Sequence, residues 1–422
     1  MEEAGERCFD PEAGLLPLAE VRARLEAAAA RAPRPAVETV PLAHARGRIL
    51  AEPVVSPRDV PAFDNVAVDG WAFAGASLAR EGPSRLSILP GRAAAGHPFT
   101  GTVPPGHALE ALTGAPMPAG CDTVAMWEEC RVEDGTVLVP AGFRAGANRR
   151  RAGEDVRAGA TVLDAGTRLG PQHLGVAAEL GLDRLPVHRP LEVALVSSGD
   201  ELLEPGAPFA PGRVYDANRT ILSALLASLP CRVDDHGILP DEAGRVRAWL
   251  TAAAADHDVV LSSAGASKGA ADHLTGTVAR EGELDFWQIA LKPGRPFAVG
   301  RLGRAAHIGL PGNPVAATVC FLLLARPFLL ALAGAPLRWP RPLPLPAAFA
   351  FTKRPGRTEL LRARLVADAS GRLLVERIPR EGSGILTSLV EGEGLALIEA
   401  ERTRVEPGEP VGWLSFAELG CL

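Results

Sequence analysis

Lys292 and Arg295 share one short turn, Lys292-Pro293-Gly294-Arg295-Pro296, directly after the apolar run Gln288–Leu291. A second turn, Pro311-Gly312-Asn313-Pro314, follows the apolar run His307–Leu310 and opens into the helix-like run Val315–Leu332. A buried strand that ends in a Gly turn ahead of a helix leaves backbone N–H groups unpaired, and anions bind there. The two cations would add charge suited to phosphate or a similar oxyanion. The bland alternative is a pair of structural turns with solvated cations. Two such turns, close together in a strand ladder, favour the anion site.

Neighbouring loops supply acids and hydroxyls. Asp200 and Glu201 follow Ser197 and Ser198, and Asp241 follows the run Cys231–Leu239. The loop SSAGASKGAADHL holds Ser263, Gly265, Ser267, Lys268, Gly269 and Asp272. It lacks the GK[ST] ending of a Walker A loop, but its backbone N–H groups could cradle a phosphate. Carboxylates cannot all face phosphate directly, so Asp200, Glu201, Asp241 and Asp272 beside such a loop suggest Mg²⁺ or another hard cation. The lesser alternative for Asp272 is a helix N-cap.

The elements that would position these loops alternate. Strand-like runs Leu191–Val196, Cys231–Leu239 and Asp258–Ser262 are separated by helical patterns at 216–229 and Arg245–Ala255. That order describes an open parallel α/β sheet, and ligands of such sheets sit at the strands' carboxyl ends. Ser197–Glu201, Asp241, Ser263–Asp272, Lys292–Pro296 and Pro311–Pro314 would all fall on that one edge.

Chemistry is sparser elsewhere. Leu16–Ala30 reads as a helix. In Pro61–Phe73, Asp64 and Asp69 flank Asn65 and precede Gly70, which makes either Asx turns or a cation or substrate loop. Residues 84–128 read as a β-rich module, with Thr113-Gly114 at a turn. Arg149, Arg150 and Arg151 precede Glu154 and Asp155, a charge cluster that can pair with itself while one or two arginines reach an anion. After a proline-rich connector, Ala347–Leu422 reads as a small all-β domain whose candidate ligand groups are Arg362, Arg364 and Gly382–Gly384.

Composition narrows the class. A chain of 422 residues implies two to four domains. A formal charge of −6 argues against a general nucleic-acid binder. The six cysteines form no CxxC or CxxH spacing, so a cysteine zinc site or disulfide framework is not expected, and reduced thiols fit a cytoplasmic protein. The acidic N-terminus has no apolar signal region. Arg326 and Pro327 interrupt the apolar run Val315–Ala333, which favours a buried helix over a membrane span.

The motifs PAFDNVAVDGWAF, SSGDELLEPG, GILPDE, SSAGASKGAADHL, ALKPGRPFAVG, GLPGNPVAA and EGSGILTSL, in this order, resemble the molybdopterin molybdenumtransferase family (MoeA and the E domain of gephyrin). The resemblance covers nearly the whole chain. It implies a multidomain α/β plus β protein. Its parts would be a helical discontinuous domain I at 1–55 and 141–190, a β-rich domain II at 56–140, a central open α/β/α domain III at 191–335 similar to molybdopterin adenylyltransferases, and a C-terminal β-barrel domain IV at 336–422. It implies Mg²⁺-dependent insertion of molybdate into adenylylated molybdopterin, with release of AMP, by a homodimer whose cleft lies between subunits. A molybdopterin adenylyltransferase would be the substrate donor.

By motif, the expected catalytic residues are Asp69, Asp241, Asp272 and Lys292, with Glu201, Asp241 and Asp272 as metal ligands. Thr113, Arg150, Asp155, Ser263, Gly265, Ser267, Lys268, Gly269, Arg295, Pro311, Pro314 and Ser383 would contact substrate. The chain departs from the family pattern at Val66, Val68 and Trp71, at Ala264 and Lys268, and at Gln288, where a Lys is often seen. Ala264 places a Cβ where Gly permits positive φ or close backbone approach. Lys268 could replace the cation lost at Gln288. These departures motivate an alternative, a paralogue that binds molybdopterin or a partner protein without inserting metal.

Overall fold

The computed structural model describes residues 14–264 and 273–421. The chain forms two compact units. One comprises Met1–Ala51, Gly166–Gly170 and Arg184–Leu422, and the other Glu52–Ala165 with Pro171–Asp183.

The larger unit is built on six strands and the helices between them. In chain order these are β1 (Leu191–Ser198), α1 (Ala217–Leu226), β2 (Cys231–Leu239), α2 (Ala243–Asp256), β3 (Val259–Ser263), α3 (His273–Glu281), β4 (Glu283–Gln288), β5 (Pro296–Leu302) and β6 (Ala305–Leu310). The spatial order is β2-β1-β3-β6-β5-β4. The pairs β2/β1, β1/β3 and β3/β6 are parallel, whereas β5 runs antiparallel to both β6 and β4. The expected parallel sheet is therefore mixed. The reason is local: only Gly303 and Arg304 separate β5 from β6, and a connection that short can only make a hairpin, because a parallel crossover needs a dozen or more residues. Reversing β5 leaves β4 running with the other strands, so the turn after β4 still reaches the carboxyl edge.

Strand alternation sorts the core. Val193 and Leu195 of β1 join a cluster with Leu222 of α1 and with Phe321 and Phe328, while Ala194 joins Val246 and Leu250 of α2 on the other face. Phe321 and Phe328 belong to α4 (Pro314–Leu332), a helix long and apolar enough to cross a membrane by composition, yet 89% buried within the protein. It passes through one π-helical turn at Phe321–Ala325. It is the central core helix of this unit, as its Arg and Pro suggested.

The C-terminal strands are β7 (Leu343–Pro346), β8 (Thr358–Ala367), β9 (Leu373–Arg377), β10 (Gly394–Ile398) and β11 (Pro410–Ser415). They pair in the order β9-β8-β10-β11-β7. A bridge between Ala347 and Val375 joins the ends and closes a small barrel. Leu291–Lys292 adds to β8 as a further short parallel strand.

The other unit carries its own six-stranded sheet, in the order Thr123–Met126, Gly70–Phe73, His107–Ala111, Ser84–Ala93, Thr136–Val139 and Arg131–Glu133. Only Ser84–Ala93 and His107–Ala111 pair in parallel. Phe73, Leu86, Val137 and Val139 pack together inside it.

Candidate functional site

Both turns reach one cleft at the carboxyl edge of the larger unit's sheet. Glu201, Ser263, Lys292, Arg295, Pro311, Pro314 and Ser383 line it, and its volume is about 840 Å³, within the range of small-molecule sites. Asp241 belongs to the same edge but not to the lining among the described residues. Gly265, Ser267, Lys268, Gly269 and Asp272 lie outside the described residues.

The first turn is held by charge. The register of Leu291–Lys292 on β8 sets Lys292 opposite Glu359. Lys292 Nζ donates to Glu359 Oε2 at 3.1 Å. The Glu359 side chain is only 5% exposed, against 54% for Lys292. A buried carboxylate thus fixes an ammonium whose other hydrogens still face the cleft, so an oxyanion arriving there meets a pre-placed charge. Arg295 Nη2 donates to Gln288 Oε1 at 3.2 Å. The residue that stands where a Lys was expected therefore orients the second cation of the turn. Gly294 has φ +119, and a Cβ on it would fall 2.4 Å from Cys320 Sγ of α4. Only glycine lets this turn lie against the core helix.

The second turn is held by neutral hydrogen bonds. Asn218, buried at the start of α1, donates through Nδ2 to Ser263 Oγ and to the Gly312 carbonyl, both at 2.7 Å. The Val315 N–H donates to the Ser383 carbonyl at 3.0 Å. Of the donors expected to be open at the start of α4, the Val315 N–H is therefore taken. Pro314 has no N–H, and a loop of the C-terminal barrel takes the next one. That loop is itself tied down by Arg362, which donates to the carbonyls of Arg380 and Gly382 and to Ser388 Oγ. Arg362 is buried, which lowers its pKa, and its Nε and Nη2 are bonded within the barrel. Arg364 pairs with Glu376 at 2.5 Å on an exposed face. Ala264, beside the turn, has φ +65, the left-handed backbone anticipated for a glycine at that place.

The acids at the edge are partly oriented. Ser198 Oγ donates to Asp241 Oδ1 at 2.7 Å, and the Asp241 N–H donates to Asp200 Oδ1 at 3.2 Å. Among the described residues, Glu201 and Asp241 are not part of any three-residue His, Cys, Asp or Glu group whose ligand atoms all lie within 4.8 Å of one another. An oxygen-only donor set of one or two carboxylates fits Mg²⁺, which keeps several waters and completes its shell with substrate phosphate oxygens.

In the smaller unit, Asp69 Oδ1 accepts from Thr113 N at 2.7 Å and from Thr113 Oγ1 at 2.8 Å, and the backbone N–H leads in holding its carboxyl below the usual range. Asp64 accepts from Arg149 Nε and from Ala152 N, each at 2.8 Å. The Ala152 N–H is the first cause of its lowered pKa. The two acids of this loop therefore part company: Asp64 anchors the loop, while Asp69 stays exposed with one oxygen engaged. Arg150 and Asp155 are exposed. Glu154 accepts from the Arg151 backbone N–H at 2.8 Å, whereas Arg149 pairs outside the expected cluster, with Asp64.

Reading the sequence missed Glu359 and the anchoring role of Asn218. For Glu359 there was one signal, an acid inside the apolar strand run TELL, which demands a partner if buried. For Asn218 there was none beyond its place near a helix start.

Residues 16–181 match the family described as MoeA N-terminal region (domain I and II), residues 194–331 match a probable molybdopterin binding domain, and residues 344–416 match the MoeA C-terminal region (domain IV). The chain is 37% identical over 371 residues to the molybdopterin molybdenumtransferase of Haemophilus influenzae, covering 87% of this chain and 91% of that one. It is 34% identical over 343 residues to molybdopterin molybdenumtransferase 2 of Mycobacterium tuberculosis, covering 79% and 81%. The crystal structure of the molybdopterin biosynthesis moeA protein from Pyrococcus horikoshii OT3 superposes with a TM-score of 0.79 at 27% identity, covering 95% of this chain and 99% of that one.

Proposed function

The chain belongs to the molybdopterin molybdenumtransferase family, and on that premise we propose that it inserts molybdenum from molybdate into adenylylated molybdopterin and releases AMP. The observation that carries this reading is the pairing of Lys292 with buried Glu359 at the mouth of the sheet-edge cleft. Molybdate and phosphate are both tetrahedral oxyanions, and a held ammonium beside an oriented guanidinium suits either.

Lys292 and Arg295 would bind the oxyanion. Pro311, Pro314, Ser263 and Ser383 shape the wall against which the substrate lies. Glu201 and Asp241 would hold Mg²⁺, joined by Asp272. When bound, Mg²⁺ would neutralise and polarise the pyrophosphate-type linkage of the substrate. The rest of the work is positioning: Glu359 fixes the Lys292 ammonium, Gln288 aims Arg295, and the Ser198 hydroxyl fixes one oxygen of Asp241. In a transfer of this kind the protein's contribution is chiefly alignment and charge neutralisation.

The working form is a homodimer, in which a second copy supplies Asp69, Thr113, Arg150 and Asp155. The four-domain division, with boundaries near 55, 140, 190 and 335, belongs to the same reading, as do a cytoplasmic location and delivery of substrate by a molybdopterin adenylyltransferase. The test is AMP release by purified protein given adenylylated molybdopterin, molybdate and Mg²⁺. Substrate binding without AMP release would replace this reading with that of a molybdopterin-holding scaffold.

A further inference from the structure

Away from the cleft, Asp234 and His236 project from the same face of the edge strand β2, being two residues apart. That face is covered by α2, whose Trp249 meets the His236 ring edge-on at 5.2 Å. His257, just beyond the end of α2, joins them. Asp234 Oδ2 lies 3.2 Å from His236 Nε2 and 3.5 Å from His257 Nε2. One ligand atom from each of the three residues lies within 4.8 Å of the other two.

Three features distinguish this group from an ordinary ion pair. First, His257 Nδ1 is 3.0 Å from the Ala253 carbonyl. A carbonyl only accepts, so Nδ1 carries the hydrogen and the lone pair of the neutral ring is on Nε2, directed at the group. Metal-bound histidines are held in this way, with the distal N–H given to a backbone carbonyl. Second, His236 Nε2 is buried and makes no hydrogen bond. Its 3.2 Å approach to Asp234 therefore lacks hydrogen-bond geometry, and the nitrogen is otherwise unsatisfied. Third, β2 is bulged here. Leu195 pairs with Asp235 but Ser197 pairs with Ile238, and Gly237 takes φ +71. Bulges re-aim side chains. Asp235, on the opposite face, is used by Arg219, which leaves Asp234 to the histidines.

We infer that Asp234, His236 and His257 form a binding site for a borderline divalent cation of the Zn²⁺ or Co²⁺ class, separate from the proposed Mg²⁺ site. Two imidazole nitrogens and one carboxylate oxygen suit such ions. Ligand atoms about 2.0–2.1 Å from a tetrahedral ion stand roughly 3.3 Å apart, close to the two Asp–His separations. Asp234 is 62% exposed, so the ion enters from solvent and completes its shell with water. No short motif announces the site, because its ligands come from a strand and from the far end of the helix that follows it, and no cysteine takes part.

Bound metal would clasp the edge strand β2 to the α2–β3 junction. Titrating the full-length protein with Co²⁺ in excess Mg²⁺ tests the site, because Mg²⁺ occupies oxygen-only sites. The expected result is one Co²⁺ per chain with weak visible d–d bands and no thiolate charge-transfer band. Zn²⁺ should displace it and raise the melting temperature. His236→Gln, His257→Gln and the surface variant Asp234→Asn should each weaken Co²⁺ binding by more than about tenfold and abolish the Zn²⁺-induced rise. No saturable uptake, a thiolate band, or uptake unchanged in Asp234→Asn and in whichever histidine variant folds would overturn the proposal.

Discussion

The two turns that flank β5 and β6 are built from the same Pro and Gly residues but are held in opposite ways. The first, Lys292–Pro296, is fixed by charge: Lys292 on Glu359, Arg295 on Gln288. The second, Pro311–Pro314, is fixed by neutral bonds, from Asn218 to Gly312 and from Val315 to Ser383. Anchoring by charge leaves donors pointing outward, since Lys292 has hydrogens to spare beyond its one partner. The second turn's bonds engage the Gly312 carbonyl and the Val315 N–H and bring no charge to the cleft. On the proposed reading, the first turn acts on the oxyanion and the second shapes the space around it. Removing groups from the first should cost activity, and removing groups from the second should cost stability.

The sharpest way to break this contrast is Lys292→Ala. AMP release should fall by roughly a thousandfold, the scale of losing a charge aimed at a developing anion, in a protein that still folds although buried Glu359 loses its partner. Glu359→Gln should fall less, because it leaves the ammonium present but unheld. Near wild-type AMP release by Lys292→Ala would remove the first turn from the chemistry.

A second test concerns His307, in the strand that leads into the second turn. It is fully buried, with neither ring nitrogen hydrogen-bonded among the described residues. Burial pushes its pKa from 6.5 down to about 4. The folded protein holds this ring neutral, so the unfolded chain binds the extra proton first. The contribution to stability is complete above about pH 6.5 and is lost as pH falls towards 4, a difference of roughly 3 kcal/mol. Urea midpoints from pH 7 to pH 4 should drop less for His307→Leu than for the native chain. Parallel slopes for the two proteins would show that His307 has a proton acceptor or a route to water.

How much of this was legible in the sequence follows from the same contrast. The turns were legible, because Pro and Gly punctuate apolar runs locally. So were two central strands of the sheet, Leu191–Ser198 and Val259–Ser263, whose apolar stretches Val193–Val196 and Val259–Leu261 run into serines at the carboxyl end. What held each turn was not. Glu359 is far along the chain from Lys292, and the parallel addition of Leu291–Lys292 to β8 has no local signature. The bond from Val315 to Ser383 was hidden for the same reason, and it takes one of the donors that the local rule counts as free. The reversed direction of β5 was readable in principle from the short Gly303–Arg304 link. In the Pro61–Phe73 loop, both acids fitted an Asx turn equally well. The positions of Arg149 and Ala152 beside Asp64, and of Thr113 beside Asp69, separate the two.

Asn218→Ala sharpens the other half of the contrast. It deletes two short bonds from a buried side chain and leaves the Gly312 carbonyl and Ser263 hydroxyl without their donor. The expected loss is about 2 kcal/mol, read as a lower denaturant midpoint. Amide exchange should quicken at 312–315 and stay unchanged at 292–295. Equal loosening of both turns would mean that they are one mechanical unit.

The smallest expected effect is a gain. Ala264 holds φ +65 next to Gly312, a conformation that costs an L-residue with a Cβ about 1–2 kcal/mol. Glycine removes that cost but makes the unfolded chain more disordered, which takes back about 0.4–1 kcal/mol. Ala264→Gly should therefore raise stability by roughly 0.5–1 kcal/mol, seen as a small upward shift in denaturant midpoint at unchanged slope. The same change deletes a methyl beside the cleft, so the wall near the second turn becomes slightly roomier. If that turn only shapes the space, the variant should show a lower or unchanged KM for substrate and an unchanged kcat. A fall in kcat with no change in stability would place the methyl of Ala264 in the chemistry and erase the division of labour between the turns.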